Sequence, residues 1–244
     1  MTMIGIVDLH SHILPYVDDG ALRKEESDML IGMLYSQGVR ISCATPHLRK
    51  GMFETSDEDI LKQFEKLEER TKASGNDIRM FLSREYHCDE LFIEKLRQGK
   101  ILPLGNSKAL LIEFSQSHSI EDIEKYIKLV MDHGYAPVIA HIERYPVFKG
   151  QLDKVRQLAD MGAYIQINAG SILGREGMRR AMRCRKLISE KAVHAVASDA
   201  HDPYDRPAEL DRCYELIRKR YGEQTANELM YINPLKILGL LKGE

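Results

Sequence analysis

At 244 residues with 43% hydrophobic composition, the chain can bury a substantial core and sits near the upper end of what one domain holds. Its 35 Lys and Arg nearly cancel its 37 Asp and Glu, which excludes a global field pulling it toward nucleic acid or an anionic membrane and leaves any preference for anions to local groups. No stretch approaches the ~20 apolar residues of a membrane span, and the opening MTMIGIVDLHSH lacks the basic start and long apolar run of a secretory signal, so a cytoplasmic location without membrane insertion is expected.

Taken in chain order, seven short apolar or β-branched runs read as strands, at 4–9, 39–45, 78–83, 109–114, 137–140, 163–168 and 193–198. Amphipathic patterns predict helices near 23–37, 57–74, 89–98, 120–133, 151–161, 175–190 and 207–220, with a last one around 224–240. This alternation signals an α/β fold with a largely parallel sheet. No linker or low-complexity tract interrupts it, so residues 1–244 are expected to form a single domain. Periodicity leaves open whether the seven units make a doubly wound sheet or a barrel with one unit fewer than the familiar eight.

Nearly every strand-like run ends in a residue able to bind a metal. The first runs into Asp8-Leu9-His10-Ser11-His12, the second into Thr45-Pro46-His47, and the third into Glu85; the fourth ends in Glu113, the fifth in His141, and the seventh in Asp199-Ala200-His201. In parallel α/β folds the C-terminal strand ends converge on one face, where active sites are built. His10 and His12 stand two apart, as do Asp199 and His201, so each pair points to one side of an extended strand. Imidazole with carboxylate suits zinc, manganese or iron, and the lack of thiolates argues against a closed structural zinc site. Any one of these motifs is weak; six strand ends of seven carrying compatible ligands predicts a multinuclear hydrolytic centre.

The other ionisable residues read more plainly. Cys43, Cys88, Cys184 and Cys213 are scattered and never form a CxxC, which predicts reduced thiols and no disulfide framework. His118, His133 and His194 read as structural or exposed, and His87 as an exposed loop residue in preference to a pocket-lining one. Arg175, Arg179, Arg183 and Lys186, with Arg180 and Arg185 nearby, form a basic stripe at helical spacing that reads as a solvated face, the alternative being a dock for an acidic protein tail.

The ordered series DLHSHILPYVDDGA, ATPH, a strand-end Glu, LIEF, HIERY, INAGS and SDAH resembles the polymerase and histidinol phosphatase (PHP) phosphoesterases across residues 6–207. DDGA, HIERY and INAGSILG are particularly similar to the manganese-dependent protein-tyrosine phosphatases of bacterial capsule and exopolysaccharide operons. The resemblance implies a distorted (β/α)7 barrel, TIM-barrel-like, holding three divalent ions, Mn2+ with Fe or Zn as alternatives. One would be held by His10, His12, Glu85 and Asp199, a second by Glu85, Glu113 and His141, and a third by Asp19, His47 and His201. Two positions depart from the pattern and bear on the pocket rim: Tyr16, where Gly is common, and Arg84, where a small or amide residue is frequent.

Three divalent ions against the carboxylates of Asp19, Glu85, Glu113 and Asp199 leave about two positive charges, a deficit that suits a phosphate dianion. Water activated on such ions has a pKa lowered toward ~7 and would attack directly as hydroxide, with no covalent phosphoenzyme. Arg144 and Arg206 follow two of the strand ends and are expected to clamp the phosphate in bidentate fashion. The implied substrate is a phosphotyrosine-bearing protein, the tail of a membrane-associated tyrosine autokinase that controls polysaccharide export. The alternatives are a small-molecule phosphatase such as histidinol-phosphate phosphatase and a non-catalytic metal-binding module. Cys43 and Arg49 also match the Cys-x5-Arg pattern of thiol-based tyrosine phosphatases. That reading is disfavoured because Pro46 lacks an N–H for a phosphate cradle and a strand-buried thiol is unreactive.

Overall fold

Each of the seven predicted runs becomes a strand in the computed structural model, which describes residues 5–241; Ile4 of the first run lies outside the described residues. In chain order the elements are β1 (Ile6–Ser11), α1 (Lys24–Ser36), β2 (Val39–Ala44), β3 (His47–Leu48), α2 (Asp57–Ala73), β4 (Arg79–Leu82), β5 (Glu85–His87), α3 (Glu90–Arg97), β6 (Ala109–Glu113) and α4 (Ile120–Asp132). They continue with β7 (Ala136–Ile139), α5 (Leu152–Asp160), β8 (Tyr164–Asn168), α6 (Ala169–Leu173), α7 (Met178–Ser189), β9 (Ala195–Ala197), α8 (Leu210–Tyr221), α9 (Glu223–Asn227) and α10 (Asn233–Ile237).

All strand pairings are parallel, in the orders β1-β2-β4 and β3-β5-β6-β7-β8-β9. The two groups are one curled sheet interrupted twice. β3 prolongs β2 beyond Thr45-Pro46, and β5 prolongs β4 beyond Ser83-Arg84, with Ser83 N donating to Ala44 O (2.9 Å) and Glu85 N to Pro46 O (3.1 Å) across the gap. At the other edge Asp199 N donates to His10 O (2.9 Å) and His12 N to Ala200 O (2.8 Å), so β9 meets β1 and the ring closes. This is the distorted seven-unit barrel, and the open-sheet alternative falls away.

The strands alternate inward and outward, which divides the core in two. Val7, Leu9, Cys43, Leu111, Val138, Ala195 and Ala197 fill the barrel with Leu235, Ile237 and Leu238 from the C-terminal segment. Outside it, Leu30, Leu34, Ile60, Leu67, Ile127, Val130 and Leu158 seal the helices onto the sheet; each such side chain contributes ~1.5–3 kcal/mol on burial. The helix expected at 175–190 begins only at Met178, because Gly174 and Gly177 both adopt φ 94° and break the chain after α6. The single helix expected at 224–240 is α9 and α10 joined by a π-helical turn, Glu228–Ile232, just ahead of Pro234, whose missing N–H removes an α-helical bond.

Candidate metal centre

The strand ends, with Asp19 from the loop after β1, bring all nine expected ligands to one place. Nε2 of His10 and His12 lie 3.1 Å apart. Glu85 Oε2 sits 3.2 Å from the first, 3.3 Å from the second and 3.0 Å from His47 Nδ1. Asp199 Oδ1 is 3.4 Å from His10 and 3.5 Å from His12, while His141 Nε2 is 2.8 Å from Glu85 Oε1 and 3.8 Å from Glu113 Oε2. Asp19 Oδ1 stands between His47 Nε2 (3.4 Å) and His201 Nε2 (3.6 Å). The tightest groupings are His10, His12 and Glu85; His12, Asp19, His47 and His201; and His47, Glu85 and Glu113. They differ from the implied sets: His12 approaches the third group, His47, through its two ring nitrogens, faces both Asp19 and the Glu85–Glu113 pair, and Asp199 and His141 stand outside all three.

Backbone geometry aims these groups. Among non-glycine residues with left-handed φ are His141 (33°), Asp199 (52°) and Tyr16 (69°), two ligands and the residue that opens the Asp18-Asp19 loop. Such conformations cost about 1–3 kcal/mol and persist where surrounding contacts over-determine them. Tyr16 therefore stands where glycine would be favoured for conformational reasons, with its side chain 62% exposed. Gly20 is required by a close approach: a Cβ there would overlap the carbonyl oxygen of His12. The register of β1 on β2 also shifts between Asp8 and Ser11, the stretch that carries His10.

Behind the ligands lies a polar layer that sequence reasoning missed. Asp18 Oδ2 is 2.7 Å from His12 Nδ1 and accepts from His47 N (2.9 Å), while its Oδ1 accepts from Gly20 N (2.9 Å). Gln166 Oε1 accepts from His141 N (2.9 Å) and stands 3.3 Å from His10 Nδ1; its amide donates to Asn168 Oδ1 (2.8 Å), and Asn168 Nδ2 donates to Asp199 Oδ2 (2.7 Å). Tyr145 Oη lies 3.3 Å from His141 Nδ1. Partners on the rear nitrogen of a ligating histidine fix the ring and its tautomer. The period-two signal that places Gln166 and Asn168 with the ligands was present in QIN; nothing in it distinguished them from ordinary strand polar residues.

The electrostatics fit cations. Burial alone would push the Glu85 and Asp199 carboxyls up, but His10, His47 and His141 around Glu85, and Arg144, His10 and His201 around Asp199, hold both well below the usual carboxylate range. Burial likewise opposes charge on His47, yet Glu85 and Glu113 together more than offset it and raise that imidazole to about 10. His201, buried beside His12, falls to about 4 and is a neutral nitrogen donor at pH 7. Glu85 Oε2 and His47 Nδ1 face each other at 3.0 Å without the geometry of a hydrogen bond, and His201 Nε2 is likewise buried without one. Unsatisfied buried polar atoms are costly, and these fall within groups of side chains that could hold a metal ion, His201 with His12, Asp19 and His47, and Glu85 with His47 and Glu113.

The ligands open onto a cavity of about 450 Å³ whose walls include Arg49, Met52, Phe53, His87, Phe114, Ser115, Tyr145, Arg144 and Arg206. Both arginines expected to clamp phosphate reach it, and both also make ion pairs. Arg144 Nη1 is 2.7 Å from Asp199 Oδ2 and its Nη2 donates to Glu176 (2.9 Å), while Arg206 Nη2 donates to Asp199 (3.2 Å). His87 corrects the sequence reading: it is buried, its Nδ1 is 3.1 Å from Glu113 Oε1 and its Nε2 is 3.1 Å from Ser115 Oγ. Arg84 does not belong to the rim; it is fully buried and donates to Asp57, His47 O and Thr55 O.

The remaining candidates sort outside the site. His118 accepts from Ser115 N (3.0 Å), His133 is exposed at the end of α4, and His194 accepts from Ile165 N (3.0 Å). The basic stripe is divided: Arg175 pairs with Glu209, Arg180 with Glu176, and Arg183 donates to Glu143 O, leaving Arg179 and Lys186 exposed. All four cysteines are free and buried. Burial, with Asp8 nearby, raises the Cys43 thiol far out of the reactive range, and its side chain belongs to the barrel interior, which removes the thiol mechanism.

A family model described as capsular polysaccharide synthesis, CpsB/CapC, matches residues 6–239. The chain is 38% identical over 238 residues to the tyrosine-protein phosphatase CpsB of Streptococcus pneumoniae, covering 96% of this chain and 98% of that protein. It is 28% identical over 219 residues to the tyrosine-protein phosphatase YwqE of Bacillus subtilis, covering 90% and 86%. A solved structure from work on YwqE of B. subtilis and CpsB of S. pneumoniae, described as metal-dependent tyrosine phosphatases, superimposes with a TM-score of 0.89 at 27% identity, over 97% of this chain and 96% of the other.

Proposed function

The chain belongs to the CpsB/CapC family of capsular polysaccharide synthesis, and from that premise we infer that it is a metal-dependent tyrosine-protein phosphatase whose nine convergent side chains are its catalytic metal centre. It hydrolyses phosphotyrosine on proteins. The observation that carries the site assignment is the convergence of these side chains, most of them in groups that could hold a metal ion, with His47, Glu113, His141 and Asp199 among those lining a cavity edged by arginines.

In this reading His10, His12, Asp19, His47, Glu85, Glu113, His141, Asp199 and His201 hold three divalent ions, manganese being the proposed metal and iron or zinc chemically compatible. Bound there, the ions supply Lewis acidity, an activated water and stabilisation of the leaving oxygen. The protein contributes the rest. Gln166 and Asp18 hold the His10 and His12 rings by their rear nitrogens. Arg144 and Arg206 orient the phosphoryl oxygens. Phe53, stacked on His47 at a centroid separation of 5.2 Å, joins Phe114 and Tyr145 in walling the cavity with rings suited to an aromatic ester. The proposed physiological substrate is the phosphorylated tail of a membrane-associated tyrosine autokinase. Among the described residues no helix is long and apolar enough to cross a membrane.

Steady-state hydrolysis of a phosphotyrosyl peptide and of histidinol phosphate tests the reading. A kcat/KM at least tenfold higher for the peptide is expected, of the order set by ~1.4 kcal/mol of differential transition-state binding. A preference for histidinol phosphate would replace the tyrosine-phosphatase reading by that of a small-molecule phosphatase.

A further inference from the structure

Of the three arginines that line the cavity, Arg144 and Arg206 are tied to Asp199, but Arg49 is not. Among the described residues its guanidinium makes neither an ion pair nor a hydrogen bond, although it is partly buried. Long side chains lose rotamer freedom when held in a wall, a cost that a matched charge offsets. Its neighbour Lys50 shows the ordinary outcome, with Nζ on Glu90 (2.6 Å).

Arg49 is also held on a rigid platform. Residues 49–53 form a tight hairpin, with Arg49 N donating to Phe53 O (2.9 Å), Phe53 N to Arg49 O (2.9 Å), and Gly51 supplying φ 74° at the turn. Buried Arg84 fastens both ends by donating to His47 O and Thr55 O, and Lys50 N donates to Asp89 Oδ2 (2.9 Å) on the flank of α3. Met52, 59% exposed, and Phe53 follow Arg49 on the same hairpin and line the same cavity. An unmatched cation thus stands beside two apolar side chains at the cavity mouth, away from the Asp199 carboxylate on which the other two arginines converge.

We propose that this hairpin is the peptide-side subsite of the catalytic cavity, in which Arg49 pairs with a carboxylate flanking the phosphotyrosine while Met52 and Phe53 cover the tyrosyl ring. The proposal deepens and rests on the tyrosine-phosphatase reading above. The partner it fits is an extended acidic phosphotyrosyl peptide. Phosphate itself is already matched by the metal centre with Arg144 and Arg206; what those groups leave unmatched is the charge next to the ring.

The test compares two phosphotyrosyl peptides identical except that Asp and Glu flank the phosphotyrosine in one and Asn and Gln in the other. The readout is the ratio of their kcat/KM values in the metal-loaded enzyme, with metal content and melting temperature checked for each variant. Wild type should favour the acidic peptide roughly tenfold, mostly through KM, and less so at high salt. Arg49→Gln should bring the ratio near one, Arg49→Lys should retain most of it, and Arg49→Glu should invert it. An unchanged ratio in Arg49→Gln, even with both values lowered, would overturn the proposal and make Arg49 a contact to phosphate or a structural residue. A wild type that cleaves neither peptide would instead overturn the underlying reading.

Discussion

Arg144 stands between Asp199 and Glu176 and faces the cavity, so its charge serves two neighbours before any substrate arrives. Removing a cation from beside Asp199 takes away a competitor for that carboxylate and does not weaken its hold on a divalent ion. Arg144→Ala should therefore keep its metal and fold while kcat/KM falls tenfold or more, the range for losing a charge-assisted contact of ~1.5–3 kcal/mol. Near wild-type kinetics would take Arg144 out of substrate binding. At this scale eight of the nine expected ligand positions were legible in the sequence because each stands at or just past the end of an apolar run, where parity and fold class say which way it points; Asp19, in the loop after β1, was reached only through the family resemblance. Asp18, Gln166, Asn168 and Tyr145 were not legible: each acts on a ligand that only the folded barrel brings near, as Gln166 does for His10 on β1 and His141 beyond β7. His87 was misjudged for a related reason, since its partners Glu113, at the end of β6, and Ser115, just beyond it, meet it only in the folded barrel.

Among the elements, the short extensions β3 and β5 were not foreseen, because Pro46 and the pair Ser83-Arg84 read as strand ends. They matter, since His47 and Glu85 open them and stand side by side in register. The extension β3 is stabilised from outside the sheet by Arg84, a long cation spent on backbone carbonyls. The loop after β1 depends instead on a missing atom. Any side chain at Gly20 must displace His12 O, carrying Asp18 and Asp19 with it. Gly20→Ala should lower metal affinity about 10–100-fold, the range for disturbing the groups that orient ligands, with a matching loss of activity at limiting metal and recovery at high metal. Unaltered metal titration would show that the loop yields without moving its carboxylates.

Over the whole molecule, the βα rhythm announced a parallel α/β fold, while closure did not follow from it. What turns the sheet into a ring is the backbone exchange between β9 and β1 at His10, His12, Asp199 and Ala200, four residues at or beside the metal centre. Closure and the candidate metal site thus share residues, and ions held by the native state alone would add RT ln(1 + [M]/Kd), about 2.7 kcal/mol at a hundredfold excess over Kd. The most direct test of the account is phosphate release from a phosphotyrosyl peptide by enzyme stripped with EDTA, metal content being measured on the same sample, followed by titration with Mn2+. Activity should vanish with the metal and return as Mn2+ is added. Full activity in protein verified to be metal-free would contradict it.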